Sequence, residues 1–221
     1  MIIWIRYSIT PQKIRDRLLT SDSDFQKMLF QYLESAHKGE YFTGNQADVF
    51  NMRHDVEAQP GFVDLTEVLP DTPAPHCRDA CPDCVASEMS EGWWTYFKHT
   101  VDMLICKCNI HTCHTNTWAN GSVKANANAK GCKDNKWKHC KAHFPHKLFN
   151  ETNVDSSTGH VNLLKKEKWI NTFTPIITYL FRCNTDITLL RSGTAIKAVL
   201  IYVTDYITKP GLKTCAIFDC I

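Results

Sequence analysis

Apolar and polar positions alternate along this chain in several distinguishable periods. Met1-Ile2-Ile3-Trp4-Ile5-Arg6-Tyr7 reads as a buried strand at the very start. Pro11 suits the first turn of a helix that carries Arg17, Leu18 and Leu19. Ser21 or Asp22 can cap the next helix, where Phe25, Met28, Leu29, Tyr32 and Leu33 recur at helical spacing. From Gly39 to Pro75 the periodicity fades and Pro, Asp and Glu accumulate, predicting mostly a surface excursion. Trp93 to Leu104 predicts an aromatic-rich helix running into Ile105-Cys106-Lys107-Cys108. A Gly/Asn/Ala/Lys stretch between Asn116 and Lys130 predicts a loop, and Thr174 to Asn184 reads as a strand. No internal repeat is visible.

The last periodic stretch, Ile196 to Lys209, has helical spacing and ends at the turn pair Pro210-Gly211. On that helix Tyr202 and Tyr206 are four apart, so both phenols project from one face. Lys209 follows on nearly the same stripe, and Lys197 lies a turn or more back. Two stacked phenols flanked by ammonium groups suit attack on a phosphodiester, with an oxygen nucleophile, a spare for a second transfer, and cations for phosphate. Aromatics at this spacing equally serve as packing residues of an amphipathic helix.

Composition narrows the class. The 221 residues are 43% apolar and 22% charged, the balance of a globular protein, and no segment is apolar long enough to cross a bilayer. The apolar start is too short for a signal peptide and no small-residue cleavage site follows. A formal net charge of +2 means that any affinity for nucleic acid must come from clustering of the 25 Lys and Arg. Eleven cysteines, an odd number without a secretory signal, argue for reduced thiols, several of them on metal.

The tighter metal constellation is His111-Thr112-Cys113, then Cys132, then Cys140. One imidazole and three thiolates can close a tetrahedral site for Zn2+, and such a closed site is structural. Cys77, Cys81 and Cys84 form a second cluster. Its fourth ligand is open between His76, Cys108 and His114, or the pair Cys81/Cys84 could share one ion with His111 and Cys113. Basic residues crowd the first constellation: Lys124, Lys130, Lys133, Lys136, Lys138, Lys141 and Lys147, followed by Lys165, Lys166 and Lys168. With Trp137 and Phe144 interleaved, they suggest a surface for DNA or RNA.

Taken together, these parts resemble the Helitron transposases, rolling-circle Rep/helicase proteins, in the segment called the Helitron helicase-like domain. The resemblance covers nearly the whole chain. It is carried by Trp93-Trp94-Thr95-Tyr96-Phe97-Lys98-His99-Thr100-Val101-Asp102 leading to Asn109-Ile110-His111-Thr112-Cys113, and by Cys140-Lys141-Ala142-His143-Phe144-Pro145. Trp169-Ile170-Asn171, Thr178 to Asp186, and the run from Ala195 to Lys209 complete it. The resemblance implies an α+β, HUH-endonuclease-like fold, an antiparallel sheet with helices carrying a zinc-finger-like insertion. It implies a partial nuclease core over 1–75, the Cys/His-rich insertion over 76–148, and the tyrosine-helix part of the core over 149–221. Tyr202 and Tyr206 then match the family's nucleophiles and Lys209 its trailing lysine. His111, Cys113, Cys132 and Cys140 match the zinc-like pattern. Lys133, Lys136, Lys138, Lys141 and Lys197 become candidate DNA contacts. Single-stranded transposon ends are the implied substrate, and the nucleus the implied compartment.

Two departures stand out. The family places a His-hydrophobe-His pair, which holds Mg2+ or Mn2+, just before residues like Met1 to Ile5, and no such pair occurs in these 221 residues. The expectation is an N-terminally truncated nuclease core without its catalytic metal. The helicase motor of full-length members, with its GxxxxGK[ST] loop, has no counterpart here either. His143 and His146 stand where arginines are commoner.

Overall fold

The computed structural model of the chain describes residues 9–20, 23–73, 88–116, 122, 131–187, 200, 201 and 204. The expected strand at 1–7, Cys77, Cys81, Cys84, most of the 116–130 loop, and Lys197, Tyr202, Tyr206 and Lys209 lie outside these residues. Among the described residues the helices are α1 (Pro11–Leu19), α2 (Ser23–Ala36), α3 (Gln46–Glu57), α4 (Glu88–Cys108) and α5 (Pro175–Phe181). Strand pairing there is confined to a two-stranded hairpin, β1 (Asn153–Val154) with β2 (Val161–Asn162), and three isolated antiparallel bridges. The chain divides into two compact units, 1–28 with 154–160 and 188–221, and 29–153 with 161–187.

In the first unit Thr10 caps α1 through its hydroxyl, which accepts from the Lys13 amide at 3.3 Å, and Pro11 occupies the first turn as its fixed φ favours. The Gln26 amide donates to the Leu18 carbonyl at 2.9 Å, and the Arg17 guanidinium lies 4.0 Å over the Phe25 ring. Leu18 and Phe25 are buried.

The second unit is built on α4. Trp93, Phe97, Val101 and Ile105 recur every four residues, so one ridge of the helix faces a single core. That core contains Tyr41, Val49, Phe97, Val101, Ile105, Cys106, Ile170, Phe173 and Tyr179. Trp93 stacks on Phe97 at 5.3 Å, and Phe97 meets Tyr179 of α5 at 4.9 Å. Each fully buried Val, Ile or Phe contributes roughly 1.5–3 kcal/mol of transfer free energy.

On the same helix Asp102 is wholly buried. Its carboxylate accepts from the Phe42 amide at 2.9 Å, from the Thr43 amide at 2.8 Å and from the Thr43 hydroxyl at 2.6 Å. This fixes the bend that delivers Asn45 to the start of α3, where Asn45 and Asp48 form a reciprocal capping box. Gly44 fits because a Cβ there would come within 2.7 Å of the Asp48 carboxylate.

Two sequence expectations are corrected. Residues 39–75 are not only a surface excursion, because α3 lies within them and buries Val49, while Tyr41 joins the core. The stretch 174–184 is not a strand. Pro175 starts α5, and its buried residues Pro175, Thr178 and Tyr179 follow the i, i+3, i+4 spacing of a helix. Arg182, in a left-handed conformation at φ 49°, ends it.

Lys165 belongs to this core and not to a basic surface. It is 8% exposed, and its ammonium donates to the Ile170 carbonyl at 3.0 Å. Burial lowers its pKa to about 8, against weaker pulls from Asp186 and Glu167. The folded state therefore binds the proton less tightly than the unfolded chain, so stability rises as pH climbs from about 8 towards the ordinary lysine range, by no more than about 3 kcal/mol. Urea unfolding of the wild type and Lys165→Met should show a difference between them that shifts by this amount from pH 7 to 10. A pH-independent difference would refute the assignment.

Candidate metal centre

The geometry of the centre begins at the end of α4. The Asn109 side chain, buried, donates to the Thr185 carbonyl at 2.7 Å and accepts from the Thr185 amide at 3.2 Å, as a strand neighbour would. Ile110 then bridges Ile170, and the His111 amide donates to the Trp169 carbonyl at 2.8 Å. His111 is thus set by backbone on a rigid rail. Its ring stacks on Phe144 at 4.3 Å with an interplanar angle of 14°.

The donor atoms of His111, Cys113, Cys132 and Cys140 all lie within 4.8 Å of one another, and His111 Nε2 sits 3.3 Å from Cys140 Sγ. A tetrahedron with arms of about 2.3 Å to sulfur and about 2.0 Å to nitrogen has edges of about 3.5–3.8 Å. These four residues can hold a metal ion. Cys140 is buried and the other three are half-buried. Cys132 and Cys140 complete a group of four with His111 and Cys113, while the alternative partners Cys81 and Cys84 lie outside the described residues. Among the described residues no other such group forms.

Backbone contacts surround the thiols. The His114 amide donates to Cys132 Sγ at 3.3 Å, and the Lys141 amide donates to the Cys132 carbonyl at 3.0 Å. Asp134 gathers the two converging chain segments, accepting from the Gly131 amide at 2.6 Å, from the Asn116 amide at 2.9 Å and from the Thr115 hydroxyl. Gly131 is required, since a Cβ there would collide with the His114 carbonyl oxygen. Such outer contacts orient ligands and offset thiolate charge.

The protonation pattern fits a site built for a cation. Burial, with the Cys140 and Cys132 thiols beside it, pushes Cys113 up to about 11. Burial also raises Cys140, but the Phe144 and Ala142 amides and the neighbouring thiols outweigh it and hold that thiol below its ordinary value. Burial, with His114 nearby, lowers His111, favouring the neutral imidazole that a ligand must be. A bound cation removes the mutual repulsion that keeps clustered thiols protonated.

The chain has no match among protein-family models, curated proteins or solved structures.

The basic residues around the centre separate into two groups. Lys136, Lys138 and Lys141 are exposed and Lys133 is half-buried, all within the loop that carries Cys132 and Cys140. Lys166, by contrast, pairs with Glu40 at 2.6 Å, and Lys147 lies 5.1 Å over the Phe149 ring. Sequence reasoning found the four donors but missed Asp134, Asn135 and the Phe144 stack. The Gly131 next to Cys132 was the one local sign of a close backbone approach.

No helix among the described residues is long and apolar enough to cross a membrane.

Proposed function

We propose that this chain is a zinc-clipped, single-strand-DNA-handling part of a Helitron-type transposase nuclease. The observation that carries the reading is the convergence of His111, Cys113, Cys132 and Cys140, the four residues that the resemblance names. Zinc is the ion that this donor set suits best, three soft thiolates with one imidazole in a closed site. It supplies structure there, clipping the 132–140 loop to the end of α4. Lys133, Lys136, Lys138 and Lys141 on that loop neutralise backbone phosphate. Tyr202 and Tyr206 are the attacking phenols in this reading, with Lys197 and Lys209 beside them.

A second reading, a zinc-stabilised DNA-binding module or relic without chemistry, is favoured by one specific observation. The 221 residues hold no His-hydrophobe-His pair, and among the described residues no second donor group converges. Among the described residues nothing is placed to hold a catalytic Mg2+ or Mn2+. A phenol with pKa near 10 is mostly protonated at neutral pH, and in the HUH-type chemistry of this reading a Lewis acid stabilises the charge developing on the phosphate. Single-stranded DNA with Mg2+ or Mn2+ is therefore expected to yield no covalent adduct. An adduct that disappears in Tyr202→Phe/Tyr206→Phe would establish the chain as a nuclease and overturn the second reading.

Binding itself is tested by salt. Lys136→Ala/Lys138→Ala/Lys141→Ala should flatten the slope of log affinity against log salt on single-stranded DNA by about 2. An unchanged slope would remove these lysines from the interface.

A further inference from the structure

The 132–140 loop does more than supply two metal donors. Its feet are Cys132 and Cys140, and the Lys141 amide to Cys132 carbonyl bond at 3.0 Å closes it. At its tip the Lys138 amide donates to the Asn135 carbonyl at 3.1 Å, so Asn135 to Lys138 form a tight turn with Lys136 and Trp137 as its central residues. Lys138 leaves the turn in the left-handed region, at φ 58°.

The Asn135 side chain braces both sides of this tip. Its carbonyl oxygen accepts from the Trp137 amide at 3.1 Å and its amide donates to the His139 carbonyl at 2.6 Å. Trp137 is consequently presented by a fixed backbone, yet 68% of it is exposed. A large indole left in water on a braced turn contributes little to the fold. The Lys136 ammonium lies 4.3 Å from the ring centroid, and the exposed Lys138 and Lys141 flank the same loop.

An exposed indole with one ammonium over one face and two further exposed lysines in the same loop fits one chemistry well. Unpaired bases stack on the ring while the lysines meet the backbone phosphates, without regard to sequence. Duplex DNA keeps its base faces covered and offers this ring no partner.

We propose that Trp137 is a base-stacking platform for single-stranded nucleic acid, held out by the metal-clipped feet of its own loop. The inference rests on the reading of the chain as a single-strand-DNA handler and names the residue that meets the bases. Because Cys132 and Cys140 are the feet, removing the ion loosens the turn that aims the indole.

The test uses the full chain, an oligothymidylate of about 12 nucleotides, and an abasic strand of the same length, with affinity read by fluorescence anisotropy. Trp137→Ala should weaken oligothymidylate binding about 5- to 100-fold and Trp137→Phe much less, with both variants keeping the wild-type metal content. On the abasic strand wild type and Trp137→Ala should bind alike, because only phosphate contacts remain. Chelation should reproduce the Trp137→Ala loss on oligothymidylate. Equal binding of wild type and Trp137→Ala to oligothymidylate would overturn the platform alone, as would an equal loss on both strands. Failure of the wild type to bind either strand would overturn the single-strand reading as well.

Discussion

Cys140→Ser is expected to carry one metal equivalent fewer than the wild type and to unravel the lobe that the centre holds together. Cys140 is the most deeply buried of the four donors, and its sulfur lies 3.3 Å from His111 Nε2. A hydroxyl in its place leaves three ligands and an open coordination position. Closed zinc sites contribute on the order of 10–16 kcal/mol to the folding of small zinc-dependent peptides at neutral pH. The few short turns between Gly131 and Pro145 have no comparable apolar core of their own. Metal analysis of purified protein and amide exchange at His111, Lys133, Lys141 and His143 measure the two effects. His111→Cys serves as the counter-variant, because four ligands remain and the metal should stay. Wild-type metal content in Cys140→Ser would refute the centre.

The second large effect is at Asp102. Alanine there leaves the Phe42 and Thr43 amides and the Thr43 hydroxyl facing a void in a fully buried position. Each orphaned donor costs about 1–3 kcal/mol, and the cluster together should cost about 3–5 kcal/mol. Loss of the bend at 42–44 also frees the start of α3. Asp102→Asn keeps one acceptor oxygen but turns an NH2 group towards the other donors, so it should fall between the two. Urea denaturation reads both, as a drop in midpoint at unchanged slope. A loss below about 1 kcal/mol for Asp102→Ala would show that water or another acceptor replaces the carboxylate.

How much of this was legible in the sequence depended on whether a residue's role was local. Pro11 announces α1, although its cap Thr10 went unread, and the aromatic-rich run from Trp93 to Leu104 announces α4. Helix α3 escaped because its apolar residues do not share a face: Val49 is buried while Phe50, next to it, is 56% exposed. Its signature was the Asn45/Asp48 capping box, a polar signal that apolar periodicity ignores. In α5, Ile176, Ile177 and Thr178 suggested a strand through their β-branched side chains. Tertiary packing of Thr178 and Tyr179 decided otherwise. The metal donors were legible because ligand spacing is a chemical constraint written directly in residue types. Lys165 was not, since nothing in a Lys-Lys pair distinguishes a lysine folded onto the Ile170 carbonyl from its solvated neighbour. The tyrosine pair, Tyr202 and Tyr206, lies outside the described residues and stays a sequence-based proposal.

The bridge between Ile110 and Ile170, with the His111 amide on the Trp169 carbonyl, has a consequence for how such a chain can change over time. The two ends of the intervening stretch are side by side, and its return leg touches the helical unit through Lys165 on the Ile170 carbonyl and the Lys166 and Glu167 amides on the Gly39 carbonyl. Lengthening or shortening a detour whose ends already meet changes closure entropy only slowly, by about 0.6 kcal/mol per doubling. Growth or trimming that leaves this return leg, residues 165–167, in place is thus cheap for the core. The port at Ile110 and Ile170 is a graft point, where one metal-clipped lobe can be exchanged for another while the residues beneath it stay as they are.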